Sequence, residues 1–334
     1  MSDQQHKICV LGAGSWGTAL AIQLARNGNH TVLWGHRADE IRAMQQTREN
    51  TRYLPGCTLP DELMLDTELN CIEDADDLLI VVPSHAFRET LKAIAPHLKN
   101  GVRISWATKG LEQGSQKLLH QVAKEELGNR PLAVISGPTF AKEVAQGLPT
   151  AVTAASNDNF FAMDMATRLH GHNFRAYTSD DIIGVEIGGA VKNVLAIAAG
   201  IADGLGYGAN TRSALITRGL TEMMRLGVSL GGKQDTFMGL AGLGDLVLTC
   251  TDNQSRNRRY GMALGTGKNS EQALKEIDQV VEGIQTALEI HKLARRNKVD
   301  MPLVEQVYRV LYEGLPAKEA VSNLLNRDLR PETE

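Results

Sequence analysis

One glycine pattern near the start of the chain limits its fold more than any other feature. Residues 7–20 read KICVLGAGSWGTAL. Ile8, Cys9, Val10 and Leu11 form a short apolar run, as in a strand buried on both faces of a parallel sheet. Gly12, Gly14 and Gly17 follow in the spacing G-x-G-x-x-G. The first glycine permits a sharp turn, the second lets backbone approach a pyrophosphate, and the third lets a helix pack on the strand. A helix over residues 18–26 then aims unpaired N–H groups at the anion. A glycine-rich turn alone says little, but one between a strand and a helix points to a dinucleotide site.

The chain has 334 residues, enough for two domains. Its net charge of −4 and lack of a basic tail argue against nucleic acid as a partner. Cys9, Cys57, Cys71 and Cys250 are widely spaced and read as reduced, mostly buried thiols. The polar start, without a signal-peptide apolar region, leads us to expect a cytoplasmic protein. No run of ~18 uninterrupted apolar residues is present, so no membrane span is expected.

The first half alternates strands, at residues 31–34, 77–82, 102–107 and 132–136, with helical segments. This rhythm predicts an α/β Rossmann domain with a doubly wound parallel sheet over residues 1–180. From Asp180 onward long helical patterns joined by glycine-rich loops predict an all-α domain over residues 181–330. His170 and His172 are the only metal-like pair; they lack further ligands at suitable spacing, and no metal site is expected.

Where NAD sites commonly place a carboxylate for the ribose hydroxyl, this chain has His36 and Arg37. Asp39 and Glu40 follow as first-turn helix residues. The Arg37 guanidinium can fork onto a 2′-phosphate, which favours NADP(H) over NAD(H), although a solvated arginine at a helix start would look the same.

A helix starting after Ser179, read as its N-cap, is apolar around nearly its whole circumference and is therefore buried. Lys192 and Asn193 lie in its middle. Helical side chains lean toward the N-terminus, so Lys192 projects over Gly188 and Gly189, which leave room for a small ligand. Burial lowers an ammonium's pKa and makes a neutral amine accessible, as a general base near neutral pH requires. The alternatives are a lysine that snorkels out to solvent or one held in a salt bridge, for which Glu186, six residues away, is an unconvincing partner.

The glycine-rich stretch from Gly239 delivers Asp245 to the head of an apolar turn, where it could be a simple helix cap. Ser255, Arg256 and Asn257 precede another helix and together resemble a phosphate or carboxylate site; a solvated basic helix start is the plainer alternative. Lys109 follows a strand of the first half and faces the same crevice, at the strand ends where such sheets bind ligands.

These residues lie within GAGSWGTALA, ATKGLE, SGPTFAKEVA, GVEIGGAVKNVLAIAAGIADGLGYGANTRSALITRGLTEM, GLAGLGDLVLTCT, SRNRRYG, VVEGIQTA and MPLVEQVYRVLYEG. In them the sequence closely resembles the bacterial soluble NAD(P)-dependent glycerol-3-phosphate dehydrogenases over nearly its whole length. The resemblance implies a helical domain of the 6-phosphogluconate dehydrogenase type and reduction of dihydroxyacetone phosphate to sn-glycerol 3-phosphate, for phospholipid synthesis. It implies Lys192 as the proton donor or acceptor, with Asp245 beside it. It further implies substrate contacts from Lys109, Gly137, Thr139, Lys192, Asp245, Ser255, Arg256 and Asn257. Cofactor contacts would come from Ser15, Trp16, His36, Arg37, Lys109, Ala141, Arg256, Val280 and Glu282, beside the three glycines. Thr139 stands where many relatives have serine and keeps the hydroxyl. A homodimer is expected. The rivals are a dehydrogenase of another small anionic hydroxy acid on this scaffold, and a non-catalytic NADP sensor.

Overall fold

The computed structural model describes residues 6–171, 173–277, 279–329 and 331–332. A single sheet contains β1 (Lys7–Leu11), β2 (His30–Trp34), β3 (Met64–Asp66), β4 (Asp77–Ile80), β5 (Arg103–Trp106), β6 (Leu132–Ser136), β7 (Thr150–Ser156) and β8 (Phe174–Ser179). Their spatial order is β3-β2-β1-β4-β5-β6-β7-β8. Helices α1 (Ser15–Arg26), α2 (Ala38–Thr47), α3 (Ser84–Ile94), α4 (Leu119–Leu127), α5 (Ala141–Ala145) and α6 (Asn159–Leu169) occupy the connections. Alternate residues of β1 feed two cores. Ile8 and Val10 pack with α1 on one face, whereas Cys9 and Leu11 pack with Phe87 and Trp106 on the other. Strand order reverses between β1 and β4, which places the glycine turn at the switch point where such sheets bind ligands.

The first six strands run parallel, as expected, but β7 pairs antiparallel with β6. The connection between them carries only the five-residue α5, and the chain turns back beside β6. β8 then pairs parallel with β7. Strands β3, β7 and β8 are absent from the sequence reading. β3 has three residues, and β8 is an edge strand with only Phe174 buried.

After β8 the architecture is all helical: α7 (Ile182–Gly204), α8 (Ala209–Ser229), α9 (Gln234–Phe237), α10 (Asp245–Thr251), α11 (Arg256–Gly265), α12 (Ser270–Ile277), α13 (Glu282–Arg296), α14 (Pro302–Tyr312) and α15 (Ala317–Leu325). The N-cap of α7 is Asp181, not Ser179: its carboxylate accepts from Gly184 N at 2.8 Å. Ser179 is still the last residue of β8, and its hydroxyl instead accepts from Asp181 N. α7 is long and apolar enough to cross a bilayer, yet 89% of its most apolar window is buried inside the protein. It is the axle of the helical core.

Helix α11 crosses α7 with backbones in contact. A Cβ on Gly200 would lie 2.1 Å from Arg258 O, and one on Gly261 would lie 2.1 Å from Ile197 O. Any larger residue at either position would force the helices apart. This crossing sets the N-terminus of α11 beside the middle of α7.

Candidate active site

The turn after β1 is shaped as a cradle. Gly12 has φ +119° and donates its N–H to Trp34 O, and a Cβ there would lie 2.3 Å from Val81 O. Gly17 allows helix to meet strand, since its Cβ would lie 1.9 Å from Gly12 O. At Gly14, by contrast, a Cβ would meet nothing within 4 Å. Helix α1, which opens with Ser15 and Trp16, has no capping side chain and no acidic residue in its first turn. Unpaired N–H groups facing open space at a sheet switch point fit the pyrophosphate of a dinucleotide.

Arg37 is the N-cap residue of α2, directly after His36. Its guanidinium lies 3.1 Å from Glu40, which also receives Arg52 at 2.6 Å. Because the Arg37 side chain is 41% exposed, this pairing holds it weakly and leaves it available to a phosphate.

The opposite wall is built around Asp245, which is wholly buried. One carboxylate oxygen accepts from Lys192 Nζ at 2.5 Å and the other from Lys109 Nζ at 2.6 Å. Lys192 also donates to Thr249 Oγ1 at 2.9 Å. Thus the partner of Lys192 is Asp245, and Glu186 is engaged elsewhere. The cap alternative for Asp245 also falls away, since Gly244 is the N-cap of α10. Two ammonium groups against one carboxylate leave a surplus positive charge in a largely buried setting. Burial pushes the Lys192 pKa down to about 8, with Asp245 opposing and Lys109 adding to the fall.

The two glycines beneath Lys192 have different duties. A Cβ on Gly188 would lie 2.4 Å from Ala241 O. That clearance therefore admits protein backbone, the π-helical turn Leu240–Gly244 that delivers Asp245, and not a ligand. Gly189 faces Ser136 Oγ and the Lys109 stem, on the crevice side. The Ser136 hydroxyl and Asn193 Nδ2 are buried without a hydrogen-bond partner among the described residues. Buried polar groups left unpaired on α7 and at the end of β6 suit a small polar ligand.

Asn257 joins the second half of the site together. It donates to Asn193 Oδ1 at 2.9 Å and accepts from Gly283 N at 2.9 Å, linking α11 and α13 to α7. Its own polar groups are thereby occupied by protein. Ser255 caps α11, accepting from Arg258 N. Arg256 opens that helix, and among the described residues its guanidinium has no hydrogen-bond or ion-pair partner. Arg258 is different: it is buried against Asp203 at 2.6 Å. Gly137 follows β6, and its carbonyl accepts from Thr139 Oγ1 at 3.2 Å and faces Lys109 Nζ at 3.5 Å. Ala141 opens α5 and Glu282 opens α13, with Val280 exposed just before it. His36 and Arg37 lie beyond β2, on a different loop from the lysine cluster.

Sequence reasoning assigned no role to Thr249 or Ser136 and named Asn193 without one. Thr249 could have been found, since it lies four residues after Asp245 on the same helical face. Among the described residues no group of three or more His, Cys, Asp or Glu side chains could hold a metal. His170 is exposed, and His172 lies outside the described residues.

A Rossmann cradle across from a buried, charge-coupled lysine on a helical domain defines a nicotinamide-dependent dehydrogenase of the two-domain type. Comparison with known proteins narrows this class. Residues 7–162 match the family model for the NAD-dependent glycerol-3-phosphate dehydrogenase N-terminus, and residues 181–322 match that for its C-terminus. The chain is 58% identical to the glycerol-3-phosphate dehydrogenase (NAD(P)+) of Colwellia psychrerythraea, over 96% of this chain and 97% of that one. It is 57% identical to that of Aeromonas hydrophila, over 99% and 100%. The crystal structure of glycerol-3-phosphate dehydrogenase from Coxiella burnetii superposes with a TM-score of 0.94 at 53% identity, covering 97% of this chain and 99% of that one. The chain belongs to the NAD-dependent glycerol-3-phosphate dehydrogenase family.

Proposed function

We propose that this enzyme catalyses the reversible, NAD(P)H-dependent reduction of dihydroxyacetone phosphate to sn-glycerol 3-phosphate, supplying the backbone of phospholipids. The observation that carries the reading is the Lys192–Asp245–Lys109 cluster, with its surplus positive charge, beside the unpartnered Arg256. Uncharged ketones would leave that surplus charge uncompensated.

Gly12, Gly14 and Gly17, with the N–H groups of Ser15 and Trp16, would hold the dinucleotide's pyrophosphate. Arg37 and His36 would hold the adenosine ribose, and Ala141, Val280 and Glu282 would border the cofactor. The nicotinamide, when bound, supplies or accepts hydride at substrate C2. Lys192 donates a proton to the C2 oxygen during reduction and takes it back during oxidation. A pKa of about 8 lets both forms exist near neutral pH. Asp245 holds Lys192 in place and restores part of the charge stability that burial removes. Lys109 and Arg256 bind the substrate phosphate, with Ser255, Asn257, Gly137 and Thr139 shaping the pocket around it. Thr249 gives Lys192 a second hydrogen bond beside Asp245.

Two domains, 1–180 and 181–330, assembled as a cytoplasmic homodimer, complete this reading on the family resemblance. Sedimentation velocity tests the dimer. The reaction is tested by following NADPH absorbance on adding dihydroxyacetone phosphate, with unphosphorylated dihydroxyacetone as control. Rapid oxidation with the first alone supports the proposal. Equal rates, or turnover only with another hydroxy or keto acid, overturn it.

A further inference from the structure

Lys109 stands on a loop that leaves the sheet after β5, yet that loop is built into the helical half. Leu111 and Leu118 are buried in the helical core. Gln116, with φ +57°, donates to Glu289 Oε2 of α13 at 2.9 Å. Glu289 is itself buried, and its other oxygen receives Gln285. Where the loop ends, α4 begins with Leu118 as its N-cap, a residue with no polar side-chain atom to offer. The missing acceptor comes from α7. Glu186 Oε1 receives His120 N at 2.9 Å, and Glu186 Oε2 pairs with His120 Nδ1 at 2.5 Å. The Glu186 side chain is 1% exposed.

We infer that Glu186 and Glu289 are positioning residues that fasten the Lys109 loop to the helical domain and so fix Lys109 against Asp245 and the substrate phosphate. Neither carboxylate touches the reacting groups. α7 thus carries Lys192 directly and fixes Lys109 at a distance, so one helix sets the spacing of both ammonium groups. Burying two carboxylates is costly unless each is hydrogen-bonded, and both are bonded to this loop and its helix. A helix N-terminus capped by a carboxylate from another domain also makes the order of the loop depend on domain contact.

This inference rests on the proposed reading only for its kinetic arm. The first arm is amide hydrogen exchange over residues 107–120 in the cofactor-free protein. Glu186→Leu should speed exchange there by about 10-fold or more, whereas Glu186→Gln, which keeps an acceptor for His120 N, should stay within about threefold of wild type. The second arm is kinetic. Glu186→Leu should raise KM for dihydroxyacetone phosphate by about 10-fold while leaving NADPH affinity within about twofold. In a Lys109→Met background the same change should alter KM less than about twofold, because the group being positioned is gone. Unchanged exchange in Glu186→Leu, or KM effects that multiply in the double variant, would overturn the inference. A wild type that exchanges as expected but does not turn over dihydroxyacetone phosphate would instead refute the proposed reaction and leave the fastening supported.

Discussion

Replacing Asp245 by asparagine removes one negative charge from between two ammonium groups while keeping the side chain's shape. Asp245 lies 2.5 Å from Lys192 Nζ. At that separation and an effective dielectric of about 20, the attraction is about 7 kcal/mol. Lys109 will relax away and water will enter, so a fall of about two pKa units for Lys192 is a conservative expectation, equivalent to about 2.7 kcal/mol. Starting from about 8, Lys192 would titrate near about 6. In the proposed mechanism reduction requires the ammonium form, so its rate declines as pH rises through the pKa. At pH of about 7.5 the protonated fraction drops from about three quarters to about 3%, a loss of about 25-fold. Oxidation requires the neutral amine, so its rising limb should shift to lower pH by the same two units. The assay is kcat against pH in both directions at saturating cofactor. Profiles that stay within about 0.3 units of wild type in both directions, with the rates themselves retained, would show that Lys192 is not the group that titrates. Loss of rate in both directions without a shift would mean that Asp245 acts only by holding geometry.

Three further outcomes are expected. Arg37→Ala should weaken NADPH by about 1–3 kcal/mol and NADH far less, as seen in dissociation constants from cofactor fluorescence; equal losses would return Arg37 to its exposed pairing with Glu40. Gly14→Ala should fold with an unchanged Tm, because its Cβ meets no atom within 4 Å, yet bind either cofactor about 10-fold more weakly. Retained affinity would remove Gly14 from the cradle. Arg256→Ala should mainly raise KM and narrow the kcat/KM preference for dihydroxyacetone phosphate over dihydroxyacetone; an unchanged ratio would leave Lys109 as the principal phosphate contact.

The parts legible in the sequence are those fixed by local chemistry. The β1 glycines, the all-round apolar α7 and the Ser255 cap each declare themselves within about ten residues. Asp245 could be placed at a helix start, but its two lysine partners lie 53 and 136 positions away, and only tertiary packing joins them. Gly188 shows the same limit. A bare helical patch was visible, whereas its occupation by the backbone at Ala241 depends on how another segment folds. Glu186, six residues from Lys192, is an unconvincing ion-pair partner for it, and the residue it does meet, His120, belongs to the other domain. β7 and β8 escape a sequence reading because β7 is mostly small residues and β8 buries only Phe174, so neither shows a clear strand period.

The central claim is that Lys192 moves the proton that accompanies hydride transfer. Lys192→Met removes the amine with little loss of side-chain length. The decisive measurement is single-turnover NADPH oxidation by dihydroxyacetone phosphate in this variant, with cofactor affinity measured on the same sample. Near-normal NADPH binding with a transfer rate reduced by about 100-fold or more, at every pH tested, is the predicted result. Transfer at close to the wild-type rate would contradict it.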